Sequence, residues 1–446
     1  MEWLKRNYQE KPEHPFLNNL TYSEVYNKVI DLAGRIISIV SGVERVAICT
    51  DNSTESAIFI ITLLLLKKEI LLLNNRLTEK ETLQQLEKLN IKYVFSSENG
   101  HILFGEVWKR QKNNIELSWD IDPNKIAIIM NTSATAGKFK AVPLRWKQIV
   151  AHVKASQGRL GVNREDNWLI VLPLFHVSGL SILFRSLYNG TSVTIVPKYE
   201  ETEVFNLISS GKVNMISLVP TILNQIVDKI EDSSLRVILL GGAFAPESLM
   251  KKCIKRNLPV YKTYGMTETM SQSTTFCIRD YPQKLDSVGR PLEGVKISIK
   301  NTDKKGVGEI CLESPMLMEG YIGEDRLLEP FCTGDIGYID AEGFLYILNR
   351  RTDIIISGGE NIYPKEIENI LYMLSGIREC VVVGQEDKVW GQVPILYVVS
   401  DIKEEEIIKY LSQNLAKYKL PAAIVYVEDL PKNQAGKIVR KNFKGV

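Results

Sequence analysis

The sequence predicts an α/β fold, with a large N-terminal domain of α/β sheet subdomains, a β-rich subdomain and a small α+β C-terminal domain. Its 446 residues are too many for one hydrophobic core. Short apolar runs alternate with helix-length segments through most of the chain, as in parallel sheets connected by helices. Beyond residue 280 this alternation gives way to short strands and turns.

The N-terminal elements follow one another in that alternating pattern. The β-rich runs are residues 46–50, 126–130, 168–172, 192–196 and 236–240. Helices are predicted at residues 21–40, where Thr21 and Glu24 form a capping box, and at residues 78–89, capped by Thr78. Residues 58–73 are apolar but are interrupted by charged side chains and are too short to cross a bilayer. They predict a buried helix followed by a strand.

The C-terminal third divides into two units. The β-rich subdomain, residues 281–350, takes its short strands from residues 295–299, 308–312 and 343–347. The α+β domain that follows has predicted helices at 365–373 and 404–416, and strands at 380–383 and 395–399. Charged residues at 349–352 separate two apolar runs and predict a linker. The domain boundaries are therefore placed at residues 1–350 and 351–446.

Composition narrows the class of protein. The chain is 45% hydrophobic and 24% charged, and its net charge of +2 gives no electrostatic reason to expect nucleic acid or an anionic membrane. Residues 1–15 contain no apolar stretch that would form a signal peptide. The six cysteines form no CxxC pair, which predicts reduced thiols rather than a zinc site or a disulfide framework. We expect a cytoplasmic protein without integral membrane association, and a homo-oligomer remains open.

The stretch NTSATAGKFK, residues 131–140, is a candidate phosphate loop. It directly follows a predicted strand, and α/β folds bind ligands at that end of their strands. Its hydroxyls, its glycine and its lysines can hold an anion; these are Thr132, Ser133, Thr135, Gly137, Lys138 and Lys140. The familiar Gly-Lys-Ser/Thr ending is not met, because Phe139 follows Lys138. A solvated polar turn is the alternative.

Two further segments place a carboxylate after a strand or turn. In YGMTET, residues 264–269, the Thr267 hydroxyl beside the Glu268 carboxylate suits a phosphoryl oxygen and Mg²⁺. The alternative is a helix start at which Glu268 favours the helix dipole. In residues 333–335, Asp335 can accept the two hydroxyls of a ribose, or simply belong to a turn.

The C-terminal domain contributes two candidate functional loops. Gly358 and Gly359 allow a tight hairpin with an accessible backbone, before a helix whose first turn contains Pro364. Lys437 lies in a polar loop, residues 430–440. Such a lysine is normally solvated, but domain motion can deliver its charge to a phosphate.

Together and in this order, these segments resemble the acyl-adenylate-forming superfamily of acyl-CoA synthetases, adenylation domains and luciferases, over essentially the whole chain. Within it, residues 74–79, 172–182, 264–272 and 355–368 are similar to the o-succinylbenzoate:CoA ligases of menaquinone biosynthesis. The resemblance implies two half-reactions. A carboxylate and MgATP give acyl-AMP and pyrophosphate, and coenzyme A then gives the thioester and AMP.

The resemblance also implies roles for the nucleotide-site residues. Residues 132–140 would wrap the β- and γ-phosphates, and the adenine would lie along Gly241, Gly242 and Ala243. Tyr264 and Gly265 would border the nucleotide, and Thr267 would contact the α-phosphate. Glu268 would hold Mg²⁺, and the ribose would bind Asp335 and Arg350.

The remaining roles concern the acid and the domain motion. Lys437 would bridge the attacking carboxylate and the α-phosphate. The C-terminal domain would then rotate near Thr352, so that the hairpin at 358–359 reaches the pantetheine tunnel. Candidates for the acyl pocket are His176, Ser178, Ser271 and Gln272. His176 has an equal alternative, as a packed aromatic side chain that closes the adenylation site.

The phosphate loop departs from the glycine-rich family pattern. Alanine or phenylalanine stands at Ala134, Ala136, Phe139 and Ala141. Methyl groups at Ala134 and Ala141 would restrict positive φ, and Ala136 removes a donor, which predicts weaker ATP binding or slower pyrophosphate release. Three hypotheses therefore remain: an o-succinylbenzoate:CoA ligase, a CoA ligase for another aryl or medium-chain acid, and a nucleotide-binding protein without activity.

Overall fold

The structure is a computed structural model of the 446-residue chain. It describes residues 1–75, 77–97, 102–133, 139–230, 234–327, 330–350, 353, 355–357, 360–387, 390–415, 417–432, 438–440 and 443. The helices are α1 Glu2–Glu10, α2 Tyr22–Val40, α3 Thr54–Leu65, α4 Glu79–Lys88, α5 Phe104–Trp108, α6 Trp146–Leu160, α7 Val177–Asn189, α8 Glu201–Ser209, α9 Pro220–Ile226, α10 Glu247–Lys255, α11 Pro364–Leu371 and α12 Glu404–Asn414.

The strands belong to four sheets. In the N-terminal part they are β1 Pro15–Leu17, β2 Leu20–Thr21, β3 Arg45–Thr50, β4 Glu69–Asn74, β5 Val94–Ser96, β6 Ile102–Leu103, β7 Ile126–Ser133, β8 Phe139–Arg145, β9 Asn167–Ile170, β10 Ser192–Ile195, β11 Met215–Leu218, β12 Val237–Leu240, β13 Val260–Tyr264, β14 Thr274–Cys277 and β15 Arg290–Pro291. They continue as β16 Lys296–Lys300, β17 Gly308–Glu313, β18 Phe331–Ile339, β19 Leu345–Arg350, β20 Ile355–Ser357, β21 Glu360–Ile362, β22 Ile377–Asp387, β23 Gly391–Ser400 and β24 Ala423–Tyr426.

Two large sheets confirm the predicted α/β class. One has nine strands in the order β15-β14-β13-β12-β11-β9-β10-β1-β2, and the other has six in the order β6-β5-β3-β4-β7-β8. Their central strands pair in parallel, and antiparallel pairs occur at the edges, for example β7 with β8. Parallel neighbours point their carboxyl ends to the same edge, where α/β proteins bind ligands.

Several helices and strands were predicted correctly from local features of the sequence. Helix α2 begins with the predicted capping box between Thr21 and Glu24. Helix α4 has an equivalent box between Thr78 and Glu81. Helix α3 is buried from Ser56 onward and leads into strand β4, as the apolar run predicted. Among the described residues, no helix is both long enough and apolar enough to cross a membrane.

The two smaller sheets follow in sequence order. Strands β16 to β19 form an antiparallel four-stranded sheet. The next sheet joins β21, β20, β23 and β22, with β24 parallel to β23. Asn349 and Arg350, which the sequence placed in a linker, instead complete strand β19 because their backbones pair with β18. The other two residues of that predicted linker, 351 and 352, lie outside the described residues.

One prediction about the cysteines was wrong. Cys311 on β17 and Cys332 on β18 are direct partners in the antiparallel register and form a disulfide, with their Cα atoms 4.0 Å apart. Nothing in the local spacing indicates this pair, because the register between two strands brings the cysteines together. Cys49, Cys253, Cys277 and Cys380 are not in disulfides.

Candidate active site

The two arms of the candidate phosphate loop form the end of a β-hairpin. Thr132 at the end of β7 pairs with Lys140 near the start of β8, and Ser133 pairs with Phe139. The hairpin therefore holds these residues at the carboxyl edge of the six-stranded sheet. Residues 134–138, which include Thr135, Gly137 and Lys138, lie outside the described residues.

Ala141 does not have the effect that the sequence suggested. It lies within β8, opposite Asn131 of β7, and it is fully buried. Its φ is not positive, and an extended strand accommodates an alanine methyl group without strain. The expectation that this methyl group restricts the loop is therefore wrong for Ala141, while the same expectation for Ala134 lies outside the described residues.

The segment after β12 comes close to the neighbouring strand β13. A Cβ atom added at Gly241 would lie 2.7 Å from Cγ2 of Thr263, which is closer than real contacts allow. Gly242 has a φ of +82°, and both Gly242 and Ala243 are exposed. Glycine is therefore required in this turn for space and for conformation. The turn leaves an open backbone surface beside β13.

The loop after β13 presents Thr267 and Glu268 on a constrained backbone. Residues Thr267–Thr269 form a short 3-10 helix, followed by Met270 and Ser271 with φ values of 59° and 127°. Non-glycine residues with positive φ cost about 1–3 kcal/mol each and persist where the surroundings hold them. Here the carbonyl oxygen of Ser271 packs directly onto Gly265, where no Cβ would fit.

Glu268 is held by both its backbone and its side chain. Its carbonyl oxygen accepts a hydrogen bond from the Met318 amide at 2.8 Å, and its Oε1 accepts one from the Tyr321 hydroxyl at 2.9 Å. Within the described residues, no group of three or more His, Cys, Asp or Glu side chains forms a metal cluster. Mg²⁺ commonly takes one or two carboxylates and completes its shell with phosphate and water oxygens. A single half-buried carboxylate fits that pattern.

Asp335 and Tyr264 are brought together from distant parts of the chain. The Tyr264 hydroxyl donates to Oδ2 of Asp335 at 2.7 Å, and the Asp335 amide donates to the Thr333 hydroxyl at 3.0 Å. Asp335 also pairs with Arg350 in the register of β18 and β19. Asp335, a predicted ribose residue, therefore contacts the predicted nucleotide residue Tyr264, and the backbone of Arg350 lies opposite Asp335 on the neighbouring strand.

A cavity of about 260 Å³ opens between the carboxyl ends of the two large sheets. His176 and Ser178 line it, as do three residues that sequence analysis missed, Asn75, Tyr199 and Thr221. Each of these three follows a strand of one of the large sheets, and that strand-end position was the available signal. Burial raises the pKa of Tyr199 to about 12, which keeps the phenol a neutral donor.

Gln272 lies elsewhere, in a buried polar network. Nη2 of Arg185 donates to Oε1 of Gln272 at 2.8 Å and lies 2.9 Å from Nε2 of His152. The Ser156 hydroxyl also donates to Oε1 of Gln272 at 2.8 Å. Gln272 is fully buried and does not line the cavity of His176 and Ser178. Ser271 precedes it in the strained loop.

Arg185 is an unusual residue for a protein core. It lies on α7, is fully buried, and packs its guanidinium over the Trp168 ring at 4.9 Å. Nε and Nη1 have no hydrogen-bond partner, and no carboxylate pairs with Arg185 among the described residues. Burial lowers its pKa to about 9, so it still carries its charge at neutral pH. The sequence offered no signal for it, because it stands in an otherwise apolar helix.

For the two candidate loops of the C-terminal part, the structure describes the residues on either side of each loop. Strands β20 and β21 pair Ser357 with Glu360, on either side of the predicted hairpin. Gly358, Gly359 and Lys437 lie outside the described residues. A bridge between Lys432 and Ile438 closes the base of the loop that contains residue 437. Beyond that base, Arg440 binds both carboxylate oxygens of Glu368, at 2.7 and 2.8 Å.

Comparison with known proteins decides the family. The family model described as AMP-binding enzyme matches residues 4–322, and the one described as AMP-binding enzyme C-terminal domain matches residues 366–437. The chain belongs to the AMP-binding enzyme family. The acyl-adenylate-forming fold that the sequence resemblance implied is thereby confirmed.

Individual relatives cover the chain from end to end. A 2-succinylbenzoate-CoA ligase of Lactococcus lactis subsp. lactis (strain IL1403) is 51% identical, over 100% of both chains. The o-succinylbenzoate CoA synthetase of Bacillus subtilis in complex with the acyl-adenylate intermediate OSB-AMP has a TM-score of 0.93 at 34% identity, covering 98% of this chain and 97% of that one. The same Bacillus enzyme with ATP and magnesium ion has a TM-score of 0.91 at 33% identity, covering 98% of both chains.

Proposed function

We propose that the chain is an AMP-forming acid-thiol ligase that activates 2-succinylbenzoate with MgATP and transfers the acyl group to coenzyme A, in menaquinone biosynthesis. The family membership and the full-length similarity to ligases of that name support the reaction. The observation that carries the choice of acid is the buried guanidinium of Arg185, which has no carboxylate partner among the described residues.

The acid has two carboxylates, and only one of them reacts. The second needs a charged or polar partner when it leaves water, because a buried unpaired carboxylate is costly. Arg185 has two unpartnered guanidinium nitrogens, and Gln272 orients the third. We assign these two residues, with Ser271 beside them, to the second carboxylate, and we place His176 and Ser178 where the acyl site would meet the cavity that they line.

In the first half-reaction, the reacting carboxylate oxygen bonds to the α-phosphorus and the bond to pyrophosphate breaks. Residues 132–140 would hold the β- and γ-phosphates, and Thr267 would donate to the α-phosphate. Mg²⁺ on Glu268 would neutralise charge on the triphosphate, as a hard cation on oxygen ligands does. Lys437 would stand between the carboxylate and the α-phosphate, where its charge stabilises the transition state more than the ground state.

The nucleoside half of ATP would occupy the adjoining surface. The adenine ring would lie along Gly241, Gly242 and Ala243, where the backbone of the last two residues is exposed. Asp335 would accept the ribose hydroxyls, with Arg350 beside it. The Tyr264 hydroxyl at 2.7 Å fixes the Asp335 carboxylate, and Gly265 gives the loop its close packing.

In the second half-reaction, the thiolate of coenzyme A attacks the acyl carbonyl and AMP leaves. The cavity of about 260 Å³ is a suitable passage for the pantetheine arm, because it runs between the two large sheets and offers the hydroxyls of Ser178, Tyr199 and Thr221. We propose that the unit 351–446 rotates against the unit 1–350 near Thr352. This withdraws Lys437 and brings Gly358 and Gly359 to the cavity.

A panel of acids tests this proposal. Pyrophosphate release is measured with MgATP and 2-succinylbenzoate, with aryl and medium-chain monocarboxylic acids, and without acid. Turnover with 2-succinylbenzoate and thioester formation on adding coenzyme A are expected. Turnover only with other acids would change the substrate, and nucleotide binding without any turnover would indicate a protein that has lost catalysis. The proposal includes a cytoplasmic location, and gel filtration will show whether the chain forms a homo-oligomer.

A further inference from the structure

A segment of the chain, residues 318–327, connects the two parts of the proposed metal and phosphate site. We call it the crossing segment. Its Met318 amide donates to the Glu268 carbonyl at 2.8 Å, and its Ile322 amide donates to the Ala141 carbonyl of β8 at 3.0 Å. One short segment therefore touches both the loop that presents Glu268 and the strand that leaves the phosphate loop.

Tyr321 stands at the centre of the crossing segment and contacts a functional side chain on each side. Its hydroxyl donates to Oε1 of Glu268 at 2.9 Å. Its ring lies 4.3 Å from Nζ of Lys140, and that ammonium also pairs with the Glu324 carboxylate at 3.1 Å. A single phenol thus holds the proposed Mg²⁺ carboxylate and one of the proposed phosphate lysines.

Other contacts fix Tyr321 in place. Glu319, two residues earlier, forms ion pairs with Lys147 and with Arg145, the latter at 3.4 Å. The Leu327 amide donates to the Glu319 carbonyl at 2.9 Å, so the crossing segment closes on itself. The base of the segment is thereby anchored on β8 and α6.

We propose that Tyr321 is a positioning residue for acyl-AMP formation, whose hydroxyl holds the Glu268 carboxylate through Oε1 and would leave Oε2 available to a magnesium ion. The inference rests on the proposed function, in which Glu268 binds that ion. Mg²⁺ demands near-ideal octahedral geometry, so the orientation of a carboxylate ligand matters as well as its presence. Outer hydrogen bonds of this kind typically change metal affinity by about 10–100-fold.

The substitution Tyr321→Phe removes the hydroxyl and keeps the ring that packs against Lys140. Pyrophosphate release is measured as a function of Mg²⁺ at saturating ATP and acid. We expect the Mg²⁺ concentration for half-maximal rate to rise about tenfold. Thioester formation from supplied acyl-AMP should be unchanged, because pyrophosphate has already left. Tyr346→Phe is the matched control: it removes a hydroxyl that donates to the Asp340 carboxylate at 3.1 Å, outside the proposed site.

Combining Tyr321→Phe with Glu268→Gln separates positioning from general structural support. If Tyr321 acts through Glu268, adding Tyr321→Phe to Glu268→Gln will cause no further change in Mg²⁺ dependence. Additive losses, or an unchanged Mg²⁺ dependence in Tyr321→Phe alone, would overturn the inference. Calorimetric titration of ATP at several Mg²⁺ concentrations gives the same comparison without any acid. A wild-type protein that binds MgATP but turns over no acid would contradict the proposed function and leave this comparison intact.

Discussion

The proposed choice of acid substrate depends on one side chain, the buried guanidinium of Arg185. A buried charge without a counter-ion destabilises the free protein, whereas a carboxylate delivered by the substrate compensates for it. The cost in the free state and the gain on binding therefore come from the same guanidinium. This explains why a cation lies in the core of an enzyme proposed to bind a dicarboxylic acid.

Replacing Arg185 should separate these two effects. We expect Arg185→Met to raise the KM for 2-succinylbenzoate by at least about 100-fold, because truncating one partner of a buried charge pair costs about 2–5 kcal/mol. The KM for MgATP should not change. The melting temperature should stay the same or rise, since an unpaired buried charge is removed. Steady-state kinetics and thermal unfolding measure these values.

Arg236→Met is the matched control. Arg236 forms a hydrogen-bonded ion pair with the buried Asp166, so its loss leaves that carboxylate unpaired and should lower the melting temperature. The KM for the acid should remain near the wild-type value. A large loss of stability in Arg185→Met together with an unchanged KM would assign Arg185 to folding instead.

His152, beside Arg185, predicts a pH effect on stability. Burial, and then the Arg185 charge, lower the pKa of His152 well below 6.5. In the unfolded chain the imidazole binds a proton near pH 6.5, while in the folded protein it stays neutral. The stability from this residue is therefore present above about pH 6.5 and falls as the pH drops, by at most about 1.4 kcal/mol per pH unit. Urea unfolding between pH 5 and 7.5 should show a shallower slope for His152→Gln; equal slopes would contradict the assignment.

At the scale of elements, the β7–β8 hairpin changes the role expected for Ala141 in the phosphate loop. Ala141 lies in a paired strand, so we expect Ala141→Gly to lower stability by about 0.5–1 kcal/mol and to leave ATP use unimproved. Ala134→Gly should still lower the KM for ATP, since this position belongs to the loop itself. Denaturant unfolding and pyrophosphate-release kinetics distinguish the two positions. Improved ATP use in Ala141→Gly would show that the strand opens during catalysis.

Elements whose signals are local could be predicted, and contacts set by register could not. The capping boxes of α2 and α4 involve residues three apart, so the sequence is sufficient to find them. The Cys311–Cys332 pair depends on how β17 aligns with β18 across 21 residues. The Arg185–Gln272 bond joins residues 87 apart, and the Tyr321–Glu268 bond joins residues 53 apart. Motif resemblance identified Gln272 and Glu268 but gave no sign of the partners that hold them.

At the scale of the molecule, one chain must serve two reactions of the same carboxyl group: its oxygen bonds to phosphorus in the first, and its carbonyl carbon bonds to sulfur in the second. Sequence motifs named candidate nucleotide residues because each follows a strand or a turn, and the structure brings two of these candidates, Tyr264 and Asp335, into contact. In the proposed division of the chain, residue 437 belongs to the second unit, 351–446. The base of its loop is closed by Lys432 and Ile438, and Arg440 ties the following turn to Glu368 on α11. These contacts tie the described residues on either side of 433–437 to the unit that we propose to rotate.

Lys437→Ala tests the rotation directly. The variant should form acyl-AMP at least about 100-fold more slowly, because a cation aimed at the transferring phosphoryl group contributes several kcal/mol to the transition state. Thioester formation from supplied acyl-AMP and coenzyme A should continue at the wild-type rate, because the lysine is withdrawn in that step. Pyrophosphate release measures the first reaction, and free AMP measures the second.

Arg440→Met provides the comparison for the rotating unit as a whole. It breaks the buried pair with Glu368, which typically costs about 3–5 kcal/mol, and loosens the anchor of the loop without changing Lys437 itself. We expect a lower melting temperature and a loss in both half-reactions, since Gly358 and Gly359 lie on the same unit. Lys437→Ala should instead leave the melting temperature unchanged. If Lys437→Ala slowed both half-reactions equally, the lysine would have to stay at the site throughout, and a rotation that withdraws it would be excluded.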